Sequence, residues 1–382
     1  LILIAAVSLI GIEKVVTFLL MLSVLIVLHE FGHFVMARRS GVRVNEFALG
    51  FGPRLIAWTS PRSGTLYSVR AFPIGGFCAM EGEDGRGSEA EQQRNFRSGS
   101  QGGEANFQAK SPWVRLAIIL AGPLANFILC YAILLAGALA FGVTSDKPNQ
   151  AIQPIVGEVN AGSPAEIAGI RAGDRIVAIG DVPVTSGKEL VDTIHASLGK
   201  RLDLVYQRNG ARTEVYVQPK PCPPQVVGRG KGCIGFSPVP ELQRVGLAEA
   251  VRASGEEFAG IADQTVESIV LLVTQFSKYA PQISGPIGMG QVAVTVQDWG
   301  WGPYFTLAAT ISFALGLFNL LPIPALDGGR AAFIIAELIR GRPVDPEKEA
   351  MVHLAGFAAL MALIMLVAFH DIARIVSGQG VM

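Results

Sequence analysis

Four stretches of this chain carry no Lys, Arg, Asp or Glu: residues 15–29, 116–143, 299–326 and 351–369. The first continues to residue 37 as an apolar segment broken only around its His and Glu. A helix crossing a bilayer needs about 20 apolar residues. Each run approaches or exceeds that length. The chain is 50% hydrophobic and 16% charged, where soluble domains carry about 25% charge. Disorder is excluded, because it requires low hydrophobicity and high net charge. Four transmembrane helices are the natural reading; the alternative is buried helices of a large soluble enzyme. Residues 1–12 are apolar but too short to span. They read as a signal-like stretch or the outer end of the first helix, and no cleavage site stands out.

The loops set the orientation. Residues 38–115 hold 11 Lys/Arg and 7 Asp/Glu, with Arg38, Arg39 and Arg43 directly after the first helix. The loop after the third run holds Arg330, Arg340, Arg342 and Lys348. Segment 144–300 holds 14 Lys/Arg and 16 Asp/Glu. The positive-inside rule makes the two basic loops cytoplasmic and the long segment extracytoplasmic. Overall, 31 basic groups balance 31 acidic groups, so no field draws nucleic acid. The expected segments are helix 1–37, loop 38–112, helix 113–143, outer domain 144–240, outer amphipathic-helix region 241–298, helix 299–327, loop 328–350, and helix with tail 351–382.

Between the runs, 54–59 and 65–72 read as short strands around the turn Ser60-Pro-Arg-Ser-Gly64, ended by Pro73-Ile-Gly-Gly76. Gly50-Phe51-Gly52 precedes them, where glycine permits positive φ or close approach. Residues 82–111 read as a mobile polar loop. Within 153–220, strands are expected at 155–159, 174–179, 201–208 and 213–217, with helices at 165–168 and 187–197. Gly162-Ser-Pro-Ala-Glu-Ile-Ala-Gly-Ile-Arg-Ala-Gly-Asp174 resembles the bacterial PDZ signature. Such domains add a peptide, often a C-terminus, to a sheet edge. Cys222 and Cys233 fall on the oxidising side, where a disulfide is plausible; Cys78 and Cys130 are expected to be free. Four Cys are too few for a disulfide scaffold. Residues 247–280 read as an amphipathic helix whose face of Val266, Ile269, Val270, Val273 and Phe276 packs on protein or membrane surface.

His29-Glu-Phe-Gly-His33 lies inside the first run. Two His at i and i+4 share one helix face and can share one zinc ion. Glu30 is placed to act as general base on a metal-activated water. Counted from Lys14, His29 lies about 22 Å along the helix, on the cytoplasmic side. His and Glu at that depth are costly unless paired or metal-bound. Zinc needs a third protein ligand. His195 belongs to the outer domain and His370 to the outer end of the fourth helix. His353 is geometrically possible. Asp327, in Asn319-Leu-Leu-Pro-Ile-Pro-Ala-Leu-Asp-Gly-Gly329, is the better candidate, because it closes the third run at the depth of His29 and His33.

HEFGH, Gly122-Pro-Leu-Ala-Asn-Phe127, the single PDZ-like segment and NLLPIPALDGG together resemble the site-2 protease family of intramembrane zinc metalloproteases. The likeness is to the bacterial branch that clears membrane-spanning anti-sigma factors. It implies a polytopic α-helical membrane protein of four transmembrane helices, a membrane-associated β-hairpin near 53–77 and one extracytoplasmic PDZ-like α/β domain in the bacterial inner membrane. It implies Zn2+ on His29, His33 and Asp327, with Glu30 as catalytic base and Asn319 holding the substrate or its carbonyl. Gly50, Phe51 and Gly52 would lie beside the hairpin that keeps the substrate extended, and 65–72 would supply a free sheet edge. Expected partners are single-pass membrane proteins, such as anti-sigma factors or signal-peptide remnants, and membrane lipid. The best-known enterobacterial member resembles two tandem PDZ domains, whereas this sequence offers one. A membrane-anchored PDZ scaffold and a zinc transporter are the alternative classes.

Overall fold

The computed structural model describes residues 12–83, 105–144, 152–160, 162–208, 210–222, 231–240, 242–279, 285–298 and 300–376. The apolar start and most of the 82–111 loop lie outside the described residues. In chain order, helix α1 (Ile12–Arg39) leads to strands β1 (Val44–Thr59) and β2 (Leu66–Met80), then helix α2 (Pro112–Phe141). Next come β3 (Val143–Thr144), β4 (Ile152–Val159), α3 (Pro164–Ile167), β5 (Arg175–Ile179), β6 (Val182–Pro183) and α4 (Gly187–Ala196). They are followed by β7 (Leu202–Arg208), β8 (Ala211–Val217), β9 (Lys220–Pro221), β10 (Gly232–Cys233), β11 (Phe236–Pro240) and β12 (Leu242–Gln243). The chain continues through α5 (Leu247–Thr274), α6 (Phe276–Tyr279), α7 (Pro286–Asp298), α8 (Trp301–Leu320), α9 (Asp327–Arg340) and α10 (Pro346–Val376). It divides into two compact units, Leu1–Leu134 with Ser254–Met382, and Leu135–Ala253.

In the first unit, α1, α2, α8 and most of α10 are long and apolar enough to cross a membrane. Their ends follow local chemistry. Glu13 opens α1 and Arg38 and Arg39 close it, which suits the helix dipole. Pro112 takes the first position of α2, where a missing N–H costs nothing. Pro322 and Pro324 end α8. Gly341, left-handed at φ 68°, ends α9.

The sheet between α1 and α2 is more than a hairpin. Residues 66–69 are registered to 56–59 with partner numbers running oppositely, and to 46–49 with partner numbers rising together. Both long strands therefore fold back, β1 at Gly50-Phe51-Gly52. Gly50 has φ +86°, and a Cβ there would meet the Phe72 carbonyl oxygen at 2.4 Å. This corrects two expectations. The chain does not leave the sheet at Pro73-Ile-Gly-Gly76 but pairs on to Met80. Residues 66–69 are an interior strand, so they offer no free edge; the outer strands are 76–80 and 54–59. Exposed Leu55, Ile56 and Trp58 line the latter.

A core of Ala37, Val42, Val44, Cys78, Met80, Ile118, Ile119, Ala331 and Ile334 joins the end of α1, the sheet, the start of α2 and α9. Phe107 enters the same core, and its N–H donates to the Glu81 carbonyl at 2.8 Å. The end of the expected mobile loop is thus pinned by Phe107. Arg115 and Glu337, both largely buried, pair at 2.6 Å and tie α2 to α9.

The expected apolar stripe on α5 does not pack on the described protein. Val266, Val270, Val273 and Phe276 are exposed. The packed face is instead Phe258, Ile261 and Ala262, set against Phe127, Cys130 and Leu134 of α2 and Ala309 and Phe313 of α8. Periodicity identifies an apolar face but not what covers it. Helix α7 packs Ala293 and Val296 against Phe18 of α1 and Tyr304 of α8.

The second unit holds a sheet in the order β11-β4-β5-β7-β8, with β6 on β5. Val156, Ile176, Leu190, Ile194, Leu204 and Tyr206 are in its core. Ser163 caps α3 by accepting the Glu166 N–H at 3.2 Å, while the Glu166 carboxylate accepts the Gly162 N–H at 2.6 Å. That reciprocal pairing explains the Ser-Pro-Ala-Glu run. Cys222 and Cys233 form a disulfide; Cys78 and Cys130 are free.

Glu46, in the sheet, accepts from Arg54 at 2.7 Å, Arg70 at 2.7 Å and Ser68 at 2.6 Å. Burial alone would raise its carboxyl, but these bonds outweigh it and hold the group below its ordinary 4.5. A lowered folded value gives stability that is present above the ordinary value and lost as pH falls through the folded one. Proteolysis of the sheet should therefore accelerate as pH drops below about 4.5 in the native protein. In Glu46→Gln it should be fast already at pH 7 and nearly independent of pH.

Candidate metal centre

His29 and His33 stand one helical turn apart on α1, and both are buried. Asp327 begins α9. Its Oδ2 lies 3.0 Å from His29 Nε2 and 3.2 Å from His33 Nε2. The two Nε2 atoms are 3.2 Å apart. Three ligand atoms from two segments thus form a nearly equilateral triangle. Tetrahedral zinc with bonds of about 2.0–2.1 Å sets its ligand atoms about 3.3 Å apart. The triangle fits that ion with only slight expansion.

The far sides of both rings support the fit. His33 Nδ1 donates to the Ile118 carbonyl at 2.9 Å, which leaves the Nε2 lone pair free to ligate. The Asn126 carboxamide lies 3.2 Å from His29 Nδ1, and Asn126 Oδ1 is buried with no other partner. A half-turn of that amide lets Oδ1 accept the Nδ1–H. His29 then also presents a bare Nε2, and the orphaned oxygen is satisfied. Ser312 of α8 donates to the Asn126 backbone carbonyl at 2.9 Å, so three helices meet at this residue.

Close approach of α1 and α2 makes this arrangement reachable. A Cβ on Gly32 would lie 2.3 Å from the Ala121 carbonyl oxygen. A Cβ on Gly122 would lie 2.2 Å from His33 Nε2 and 2.9 Å from His29 Nε2. The space a side chain at 122 would fill is the space beside the ligand atoms. Glu30, on the same turn as His29, is within electrostatic reach of His29, His33, Asp327 and Glu83.

Other expected site residues fall elsewhere. Asn319, at the end of α8, donates to the Leu315 carbonyl of its own helix at 3.0 Å. Gly50, Phe51 and Gly52 form the bend of β1. His353 Nδ1 accepts the Ala325 N–H at 2.9 Å, which occupies that lone pair. Among the described residues, one further set of ligand atoms converges, His195 with Cys222 and Cys233, but its sulfurs are bonded to each other. Sequence reasoning missed the roles of Asn126, Gly122 and the Ile118 carbonyl. The motif Gly122-Pro-Leu-Ala-Asn-Phe127 held two of them in plain view.

Two histidines and a carboxylate converging among helices of membrane length are the donor set expected of an intramembrane zinc metalloprotease. The chain belongs to peptidase family M50, the site-2 protease family, whose profile matches residues 17–363. It is similar to the zinc metalloprotease RasP of Bacillus licheniformis, 31% identical over 435 residues, which covers 95% of this chain and 99% of that protein. The regulator of sigma-W protease RasP of Bacillus subtilis is 29% identical and is covered to 99% by 95% of this chain. A putative zinc metalloprotease of Nostoc is 35% identical over 351 residues, covering 90% of this chain and 91% of that protein. Among solved structures, the PDZ domain of an SdrC-like protein from Listeria monocytogenes aligns with 25% of this chain and 94% of its own, at 20% identity and a TM-score of 0.20.

Losing a partner of a ligating imidazole typically weakens metal binding about 10–100-fold. Asn126→Leu should show that loss in chelator competition, and Asn126→Asp should retain zinc. Gly122→Ala should lose zinc more completely, because its methyl displaces both rings.

Proposed function

We propose that this zinc metalloprotease cuts the transmembrane segments of single-pass membrane proteins, with His29, His33 and Asp327 holding zinc and Glu30 as general base. The observation that carries the reading is the 3.0–3.2 Å triangle of ligand atoms with Glu30 one residue along from His29. Zinc supplies a Lewis acid there, activating water and polarising the scissile carbonyl. Glu30 takes the proton of the attacking water, holds it on its carboxyl and passes it to the leaving amine nitrogen. Asn319 serves the substrate carbonyl once its amide leaves Leu315.

A helical substrate hides its amides and must unwind before it is cut. The outer strand 54–59, beside the bend at Gly50, Phe51 and Gly52, is where an unwound segment adds to the sheet. The basic loops support a topology with this sheet and the metal centre towards the cytoplasm and the second unit, read as PDZ-like, outside. There it takes peptide C-termini of substrates already trimmed. The name of the Bacillus subtilis relative, a regulator of sigma-W protease, supports substrates of the anti-sigma class; signal-peptide remnants share the same chemistry. A PDZ scaffold gives Glu30 no task. A transporter needs ligands along a path, and among the described residues no second free set of three lines the long helices.

Glu30→Gln should bind zinc as the native protein does and cleave a reconstituted single-pass substrate at least about 1000-fold more slowly, the upper end of general-base effects being near 10,000-fold. Retained turnover in that variant overturns the assignment. His29→Phe and Asp327→Leu should lose metal together with activity.

A further inference from the structure

We infer that His353 is a positioning residue for the metal centre, acting from α10 on the loop that aims Asp327. The inference rests on the reading of Asp327 as a ligand. Residues 321–326 connect α8 to α9, and Asp327 is the first residue after them. Ala325 has φ +78°, the one positive φ outside glycine among the described residues. An alanine is strained there and stays only when its surroundings hold it.

The holder is on α10. The Ala325 N–H donates to His353 Nδ1 at 2.9 Å. Three residues on, along the same helix face, a Cβ at Gly356 would lie 2.4 Å from the Pro324 ring and 2.8 Å from its carbonyl oxygen. So α10 presses on Pro324 with a bare glycine and catches the next N–H with a histidine. The ring of Phe333, on α9, lies 5.5 Å from the imidazole.

This bond fixes the imidazole's chemistry. Nδ1 carries the lone pair, so Nε2 carries the proton. Nε2 is buried without a hydrogen-bond partner; the nearest carboxylate, Glu349, stands at 3.9 Å. The same bond removes His353 from the list of zinc ligands, although its place at the end of α10 suggested that role from sequence.

The mechanism is geometric. Asp327 reaches two imidazoles on α1 from the start of a different helix. Its carboxylate direction depends on the backbone two residues earlier. Releasing Ala325 lets that backbone relax to negative φ and turns the carboxylate out of the triangle.

The test is zinc affinity of the full-length protein by chelator competition. His353→Leu should bind zinc roughly 10-fold more weakly, as expected for a residue acting behind a ligand. His353→Asn places Oδ1 where Nδ1 sits and should restore affinity; His353→Gln places its amide where Nε2 sits and should not. Equal rescue by both, or native affinity in His353→Leu, overturns the inference. Should His353→Leu fail to fold, Ala325→Gly in that background accepts the positive φ without the bond and should recover both fold and zinc; if it recovers the fold but not zinc, the bond to Ala325 is not the cause. Asp327→Asn, measured alongside, separates the two readings. If Asp327→Asn keeps zinc, the ligand assignment fails; if it loses zinc while His353→Leu does not, only the positioning role fails.

Discussion

Gly32 and Gly122 let α1 and α2 touch backbone to side chain at one level, and the triangle of His29, His33 and Asp327 depends on that contact. A methyl at either position would occupy an atom already there, at 2.3 Å or less. With the helices this close, His33 finds the Ile118 carbonyl and His29 finds Asn126, each from α2. The two imidazoles are then fixed as a pair before any ion is considered. A separation wider by one methyl would leave both rings free to rotate, and two buried donors unsatisfied at several kcal/mol each in an apolar surrounding.

The third corner of the triangle arrives by a different kind of constraint. Pro322 and Pro324 stop α8, the chain turns, and α9 starts at Asp327. Its packing is set below the site, where Ala331 and Ile334 share a core with Ile118, Ile119 and the sheet. The Arg115–Glu337 pair locks the same two helices at the next level. Around the triangle, His33, Asn126 and Ser312 each engage a polar group of a neighbouring helix. That is the condition under which apolar helices tolerate them.

The long helices and the His-His-Asp triangle were legible in the sequence because both follow from short-range rules. Bilayer length shows as missing charge, and i, i+4 spacing puts His29 and His33 on one face. Asp327 was legible because the prolines before it announce a helix end at the right depth. What was not legible depends on tertiary approach. Residues 66–69 look like half of a hairpin, and only the fold-back of β1 at its glycines turns them into an interior strand. The α5 stripe of Val266, Val270 and Val273 has perfect helical spacing, yet the helix packs through Phe258 and Ile261. Asn126 reads as one polar residue in an apolar run; its task appears only when α1 is laid beside it. His353 invited a ligand assignment that its bond to Ala325 excludes.

His29 and Asp327 are 298 positions apart in the chain. The triangle therefore has no partial form that emerges early in synthesis. While α1, α2 and the second unit are being made, the cell holds a pair of histidines without their carboxylate. On the proposed reading, the order of translation makes the triangle late: the two histidines wait in the nascent chain until α9 brings Asp327 to them.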